Sequence, residues 1–207
     1  MKKGFTLSEV LITLGVIGVV SAITLPTVIN KAQLFILKNQ YKRVYSNYSN
    51  ALQKYILDNG VPDCYYREDG SGGNSANCLG FYEDLFTKYF KSIKYCEGNA
   101  LSDGCVPKYS SYVPNAGCAY FNENYINNID KVWVLNDGSI HISYGSNAYP
   151  IFLVDINGKK GPNKGGYDLF SFDIYKKGDT AVLSAGGCVQ IEKGGINPRS
   201  DFTKIYE

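Results

Sequence analysis

Twenty consecutive residues, 10–29, carry no charged side chain; only Thr13, Gly15, Gly18, Ser21, Thr24, Pro26 and Thr27 interrupt their apolar character. A helix of that length just spans a hydrocarbon core of about 30 Å, so the segment is a membrane-crossing candidate. The competing reading is a cleaved secretory signal, with Lys2 and Lys3 as its basic region and Val20-Ser21-Ala22 as the small-residue cleavage site. Glu9 argues against that reading. An ionisable group at the head of an apolar run is costly in lipid and is kept there for a function.

Past residue 30 the pattern turns amphipathic. Leu34, Leu37, Tyr41, Val44, Tyr48, Ala51 and Tyr55 follow one another in steps of three and four, while Lys38, Lys42, Asn50 and Lys54 lie on the opposite side. Asn59-Gly60, with Pro62 two residues later, is a helix stop. One continuous helix over residues 5–57 would run roughly 80 Å at about 1.5 Å per residue. That exceeds what a bilayer needs, so its second half is expected outside the membrane and against a globular domain.

All six cysteines (Cys64, Cys78, Cys96, Cys105, Cys118 and Cys188) follow the apolar segment, and none stands in a Cys-x-x-Cys spacing that would favour zinc or thiol exchange. An even number points to disulfides and an oxidising compartment. Loop closure favours short loops, which pairs Cys64 with Cys78 and Cys96 with Cys105 and leaves Cys118 for Cys188. The charge totals, 21 Lys plus Arg against 19 Asp plus Glu, set up no field that would recruit nucleic acid. With 207 residues there is room for one ordinary domain besides the membrane segment.

The run Lys2-Lys3-Gly4-Phe5-Thr6-Leu7-Ser8-Glu9-Val10-Leu11-Ile12 resembles the prepilin processing signal of type IV pilins and type II secretion pseudopilins. The resemblance covers about the first thirty residues closely and the rest only in general layout. It implies that a prepilin peptidase cuts on the cytoplasmic side between Gly4 and Phe5 and methylates the new amino terminus of Phe5. It also implies a subunit held in the inner membrane with its N-terminus inside, then built into an extracellular or periplasmic filament by an inner-membrane assembly platform. Partners on this reading are membrane lipid and identical or related subunits, with no specific nucleic acid. Loss of the leader, residues 1–4, removes Lys2 and Lys3 and leaves 19 basic against 19 acidic side chains, a balance that opposes self-association little.

The physical logic of such a cut is that it leaves the apolar helix in place, so the anchor also serves as the assembly element. Glu9 then stands four residues from a new amine, and a carboxylate in an apolar bundle needs such a partner, here the amine of a neighbouring subunit. A local role is compatible with it, because Thr6-x-x-Glu9 is a capping box and an acid in the first turn suits the helix dipole. Gly18 and Ala22 form a small-residue stripe that permits close helix approach, and Pro26 removes a backbone donor and bends or loosens the helix. Lys31, Lys38, Lys42 and Arg43 beyond the span favour the opposite orientation by a plain count of flanking charge. The cysteine-rich domain and the processing signal override that count.

The expected organisation is therefore a leader at 1–4, a transmembrane or filament-core helix at 5–29, its amphipathic continuation at 30–60 and a globular domain at 61–207. Residues 63–118 read as a disulfide-pinned connection with one helical island at 81–93. Residues 132–135 and 139–144, joined through Asn136-Asp137-Gly138, read as a hairpin, with further strands at 149–154, 170–175 and 181–184. Ile140, Ile142 and Tyr144 are assigned to the core, and His141, the sole histidine, to the solvent face with Ser139 and Ser143. The fold class is α+β, a long helix laid on an antiparallel sheet, which the pilin resemblance also implies.

The glycine-rich stretch 155–168 resembles loops of pseudopilins that in some members bind calcium, and Asp155, Asn157 and Asp168 could supply oxygen ligands. Its spacing departs from an EF-hand, and a tight turn explains the same residues without a metal. Lys159, Lys160 and Lys164 could touch phosphate but lack interleaved aromatics. The 18 tyrosines serve either interfaces or a core poor in leucine. No nucleophile elbow, His/Glu metal cluster or Walker loop occurs, so an enzyme is not expected. Two functions stay open: a structural filament or pseudopilus subunit, and a minor tip pilin acting as adhesin or DNA-binding module.

Overall fold

The computed structural model describes residues 4, 6–109, 118, 122–143 and 149–201. Lys2, Lys3 and Phe5 of the processing signal and Tyr144 of the expected hairpin lie outside these. The chain divides into two compact units, residues 1–37 and 38–207.

Helix α1 runs Leu7–Asn59 and continues through Pro26. In the first unit its apolar side chains from Leu7 through Ile29 stand exposed around the whole circumference, while Leu34 is half-buried and Leu37 buried. The hydroxyls within the apolar segment are satisfied by the helix itself. Thr13 Oγ1 donates to the Glu9 and Val10 carbonyls at 3.0 and 2.9 Å, and Thr24 Oγ1 to the Val20 carbonyl at 2.8 Å. Such back-bonding removes the cost of carrying a hydroxyl into an apolar environment.

In the second unit α1 ends at Asn59, where Gly60 adopts φ +83° and its N–H reaches the Ile56 carbonyl at 2.8 Å. Only a residue without a Cβ takes that left-handed position at no steric cost. After it come β1 (Tyr65–Arg67), β2 (Gly73–Asn74), α2 (Cys78–Asp84), a π-helical turn (Leu85–Tyr89), β3 (Lys94–Glu97), α3 (Glu123–Asn128), β4 (Lys131–Val134), β5 (Ile140–Ser143), β6 (Ile151–Asp155), β7 (Leu169–Lys177), β8 (Thr180–Ala185) and α4 (Pro198–Asp201). The strands form one sheet in the order β2-β1-β7-β6-β5-β4-β3, with β8 also paired to β7. All pairings are antiparallel except β1 with β7.

The sheet is buried on both faces. On one, Tyr41, Val44 and Tyr48 of α1 and Phe86 of the π turn meet Trp133, His141, Phe152, Phe170 and Phe172. On the other, Val132, Ile140, Ile142, Leu153 and Leu169 pack with Ala100, Val106, Tyr109, Ile126 and the cystines of Cys96, Cys105 and Cys188. Period-two alternation along β5 therefore sends Ile140 and Ile142 one way and His141 the other, into a second core. His141 is fully buried and not on a solvent face. The sequence expectation failed because it supposed a single covered face, whereas residues 96–109 cover the side opposite α1.

The connecting region is also more ordered than composition implies. It contributes β1, β2 and β3, each of two to four residues, too short for a periodic signal. The helical island runs Cys78–Asp84 and then Leu85–Tyr89, starting earlier than residue 81 and stopping before Ile93, whose N–H already pairs with the Val134 carbonyl at 2.8 Å. Disulfides join Cys64 to Cys78, Cys96 to Cys105 and Cys118 to Cys188. Tyr41, Tyr48, Tyr82 and Tyr109 are core residues.

Candidate functional site

At the N-terminus Gly4 is exposed and outside the helix. The first turn is closed by a reciprocal cap. The Thr6 N–H and Oγ1–H each donate to Glu9 Oε2 at 2.8 Å, and the Glu9 N–H approaches Thr6 Oγ1 at 3.3 Å. This is the capping box anticipated from Thr6-x-x-Glu9, and the acidic group also suits the positive end of the helix dipole. Glu9 Oε2 is thus engaged locally, and the side chain as a whole stays exposed at the head of an unburied apolar helix. Gly18 and Ala22 are exposed one turn apart, and no atom lies within 4 Å of where a Cβ would stand on Gly18. The helix is long and apolar enough to cross a membrane.

A family model described as the prokaryotic N-terminal methylation motif matches residues 1–25. The chain carries a type IV pilin-like prepilin signal. Neither the curated proteins nor the solved structures offer a match. The prepilin signal implies processing by a prepilin peptidase and assembly with pilin subunits, and together with the apolar helix it supports membrane anchoring before assembly. A long N-terminal helix on an antiparallel-rich sheet stapled by disulfides is the matching pilin-like α+β layout.

The glycine-rich loop brings its three oxygen-bearing residues together. Asp155 and Asp168 are both buried, and each is desolvated strongly enough that its carboxyl is pushed above the usual range, Asp155 further by the charge of Asp168. Asp168 accepts the N–H groups of Asn163 and Lys164, both at 2.7 Å, and Asp155 accepts from Asn157 N–H at 3.3 Å and from the Tyr109 hydroxyl at 3.4 Å. Asn157 Nδ2 donates to the Gly161 carbonyl at 3.3 Å. These are bonds of a tight turn whose acids cap its own backbone. Asn157 Oδ1 and Asn163 Oδ1 are buried without partners, the one feature here that would suit an added hard cation. No group of three or more His, Cys, Asp or Glu residues able to hold a metal occurs among the described residues.

His141 is neutral in its aromatic surroundings, because burial pushes its pKa well below the ordinary value. Its Nδ1 pairs with the Tyr48 hydroxyl, and the rings of Phe86 and Phe152 lie 4.4 and 6.2 Å away by centroid. The pair ties α1 to β5 and has no access to solvent. Sequence reasoning passed over one further group, Asp173 with Arg199, because an acid in the middle of a strand otherwise rich in aromatics carries no motif.

Proposed function

We propose that this protein is a structural subunit of a type IV pilin-like filament or a type II secretion pseudopilus, not a catalyst, and that it polymerises through α1. The observation that carries this reading is the N-terminal methylation motif on a helix whose apolar side chains stand exposed all round from Leu7 through Ile29. An unburied helix of that kind is stable in lipid or among copies of itself and nowhere in water. The peptidase cuts between Gly4 and Phe5, leaving N-methyl-Phe5. The new amine of one subunit then neutralises Glu9 of its neighbour and sets the axial register, while Gly18 and Ala22 let adjacent helices approach and Pro26 gives the local slack that packing requires. Before assembly the subunit sits in the inner membrane with its N-terminus inside, and an inner-membrane platform extracts it into a periplasmic or extracellular filament.

Mass spectrometry of the mature terminus is the first test. A chain starting at methylated Phe5 is expected, and one starting at Ile23 would mean an ordinary secreted protein. Glu9→Leu should still be processed and held in the membrane yet fail to enter filaments; assembly at the parental level would overturn the register role. A minor tip subunit acting as adhesin or DNA-binding module is distinguished by abundance, since a major subunit makes up most of a purified filament.

A further inference from the structure

On α1, Asn47, Asn50 and Lys54 follow one another in steps of three and four and so share one flank of the helix. Together with Asn136 and Asp137, from the turn between β4 and β5, they line a cleft of about 320 Å³. Its floor is apolar, with Val44, Ala51 and Leu135 all buried. The π turn supplies a further wall through Tyr89 and Phe90, both half-buried. The volume falls in the range of roughly 300–1,000 Å³ typical of small-molecule sites.

The aromatic wall is held in place from behind. The Phe90 ring packs on Tyr48, Phe86 and His141 at centroid distances of 4.6, 5.9 and 5.8 Å, and the Tyr89 hydroxyl donates to Asp58 Oδ2 at 2.9 Å and accepts from Asn59 Nδ2 at 2.8 Å. Asp137 is fixed as well, since its Oδ1 accepts from the Ser139 N–H at 3.0 Å and the Ser139 hydroxyl at 2.6 Å. The side chains of Asn47, Asn50, Lys54 and Asn136, by contrast, are exposed and make no hydrogen bond or ion pair among the described residues. Three carboxamides, each with a donor next to an acceptor, therefore stand uncommitted around an apolar floor with a rigid ring beside it.

We propose that this cleft binds a neutral sugar of one or two pyranose rings. A hydroxyl is at once donor and acceptor, and the amides of Asn47, Asn50 and Asn136 answer both functions, while Lys54 Nζ donates and Asp137 Oδ2 accepts. The C–H face of the sugar rests on Phe90 and the apolar floor. An ionic ligand gains little there, because Lys54 and Asp137 carry opposite charges and a ligand of either sign meets one like charge at the rim. The cleft belongs to the second unit and lies apart from Glu9 and residues 7–29, so it stands independently of how the filament is built.

Saturation-transfer NMR on the full chain tests this in lauryldimethylamine oxide micelles, whose headgroup carries no sugar. The probes are glucose, N-acetylglucosamine, lactose and N,N′-diacetylchitobiose. Saturable binding of at least one of them is expected, with a Kd of about 1 mM and the strongest transfer to ring C–H protons. Asn50→Ala and Asn136→Ala, both at exposed positions, should each weaken it about threefold to tenfold while the three disulfides still form. The charged counterparts glucosamine and glucuronate should bind no better than N-acetylglucosamine and glucose. The proposal is overturned by the absence of a saturable signal from all four probes, by parental affinity in both asparagine variants, or by a preference of about tenfold or more for a charged counterpart.

Discussion

Charge is expensive at His141 because the ring is enclosed by Tyr48, Phe86, Phe90 and Phe152. Its folded pKa lies below the unfolded value, so the unfolded chain takes up the extra proton. Stability from this residue is complete above an unfolded pKa of about 6.5 and declines as pH falls below it, by at most about 1.4 kcal/mol per pH unit for one proton. The stability of His141→Phe relative to the parent, read from urea midpoints, should therefore rise as pH falls from 7 to 5. Asp173 has the opposite sign. Its folded pKa of about 6 stands above the ordinary 3.8, so the native state binds the proton more tightly and the contribution is lost as pH rises toward and through 6. The stability of Asp173→Asn relative to the parent should therefore increase from pH 4 to pH 8, by up to roughly 2–3 kcal/mol for an acid this deeply buried. A flat difference would show that Arg199 already neutralises the charge. Neither residue announces itself in the sequence. His141 alternates with Ile140 and Ile142 as a solvent-facing residue would, and only the covering of both faces turns it inward.

At the scale of elements, the readable pieces were those whose signal is local. The step pattern from Tyr41 to Ala51 foretold the buried stripe of α1, Gly60 its end, and Asp137-Gly138 the turn between β4 and β5. Gly60→Ala should cost about 1 kcal/mol by forcing an L-residue into positive φ, read from the thermal midpoint. Gly158 is more demanding. It combines φ +65° with a backbone so near the Gly138 carbonyl that a Cβ would overlap it. Gly158→Ala should destabilise by about 2 kcal/mol or more, because the obstacle is main chain and cannot rotate away. The adjoining acids already cap backbone amides, so the thermal midpoint is expected to be the same in calcium and in chelator. A calcium-dependent rise, abolished by Asn157→Ala, would instead assign Asp155, Asn157 and Asp168 as ligands. The strands β1 to β3 and the π turn escaped a local reading, since their geometry is imposed by β4, β7 and the cystines and not by their own few residues.

On the scale of the whole molecule, the globular unit depends on its staples as well as its aromatic core. The Cys118–Cys188 bridge closes a separation of 70 residues and Cys64–Cys78 one of 14. Chain-entropy estimates give about 4 and about 3 kcal/mol respectively. Replacing Cys118 and Cys188 together by Ser should lower the unfolding free energy by about 4 kcal/mol, and the 64–78 pair by somewhat less, as measured by urea titration. Equal losses would mean that native-state strain, and not loop length, sets the effect. What the chain order alone determined is whatever depends on neighbours within a few residues: the uncharged anchor with Glu9 at its head, the processing signal, the heptad-like stripe of α1, the turn glycines, and the short-loop preference among cysteines. What only the tertiary structure decided is which surfaces meet across long separations: the second covered face of the sheet, the enclosure of His141 by Tyr48, and the meeting of Asp173 with Arg199 beside Tyr66. Burial and desolvation are properties of the assembled layers, and no side chain carries them in its own identity.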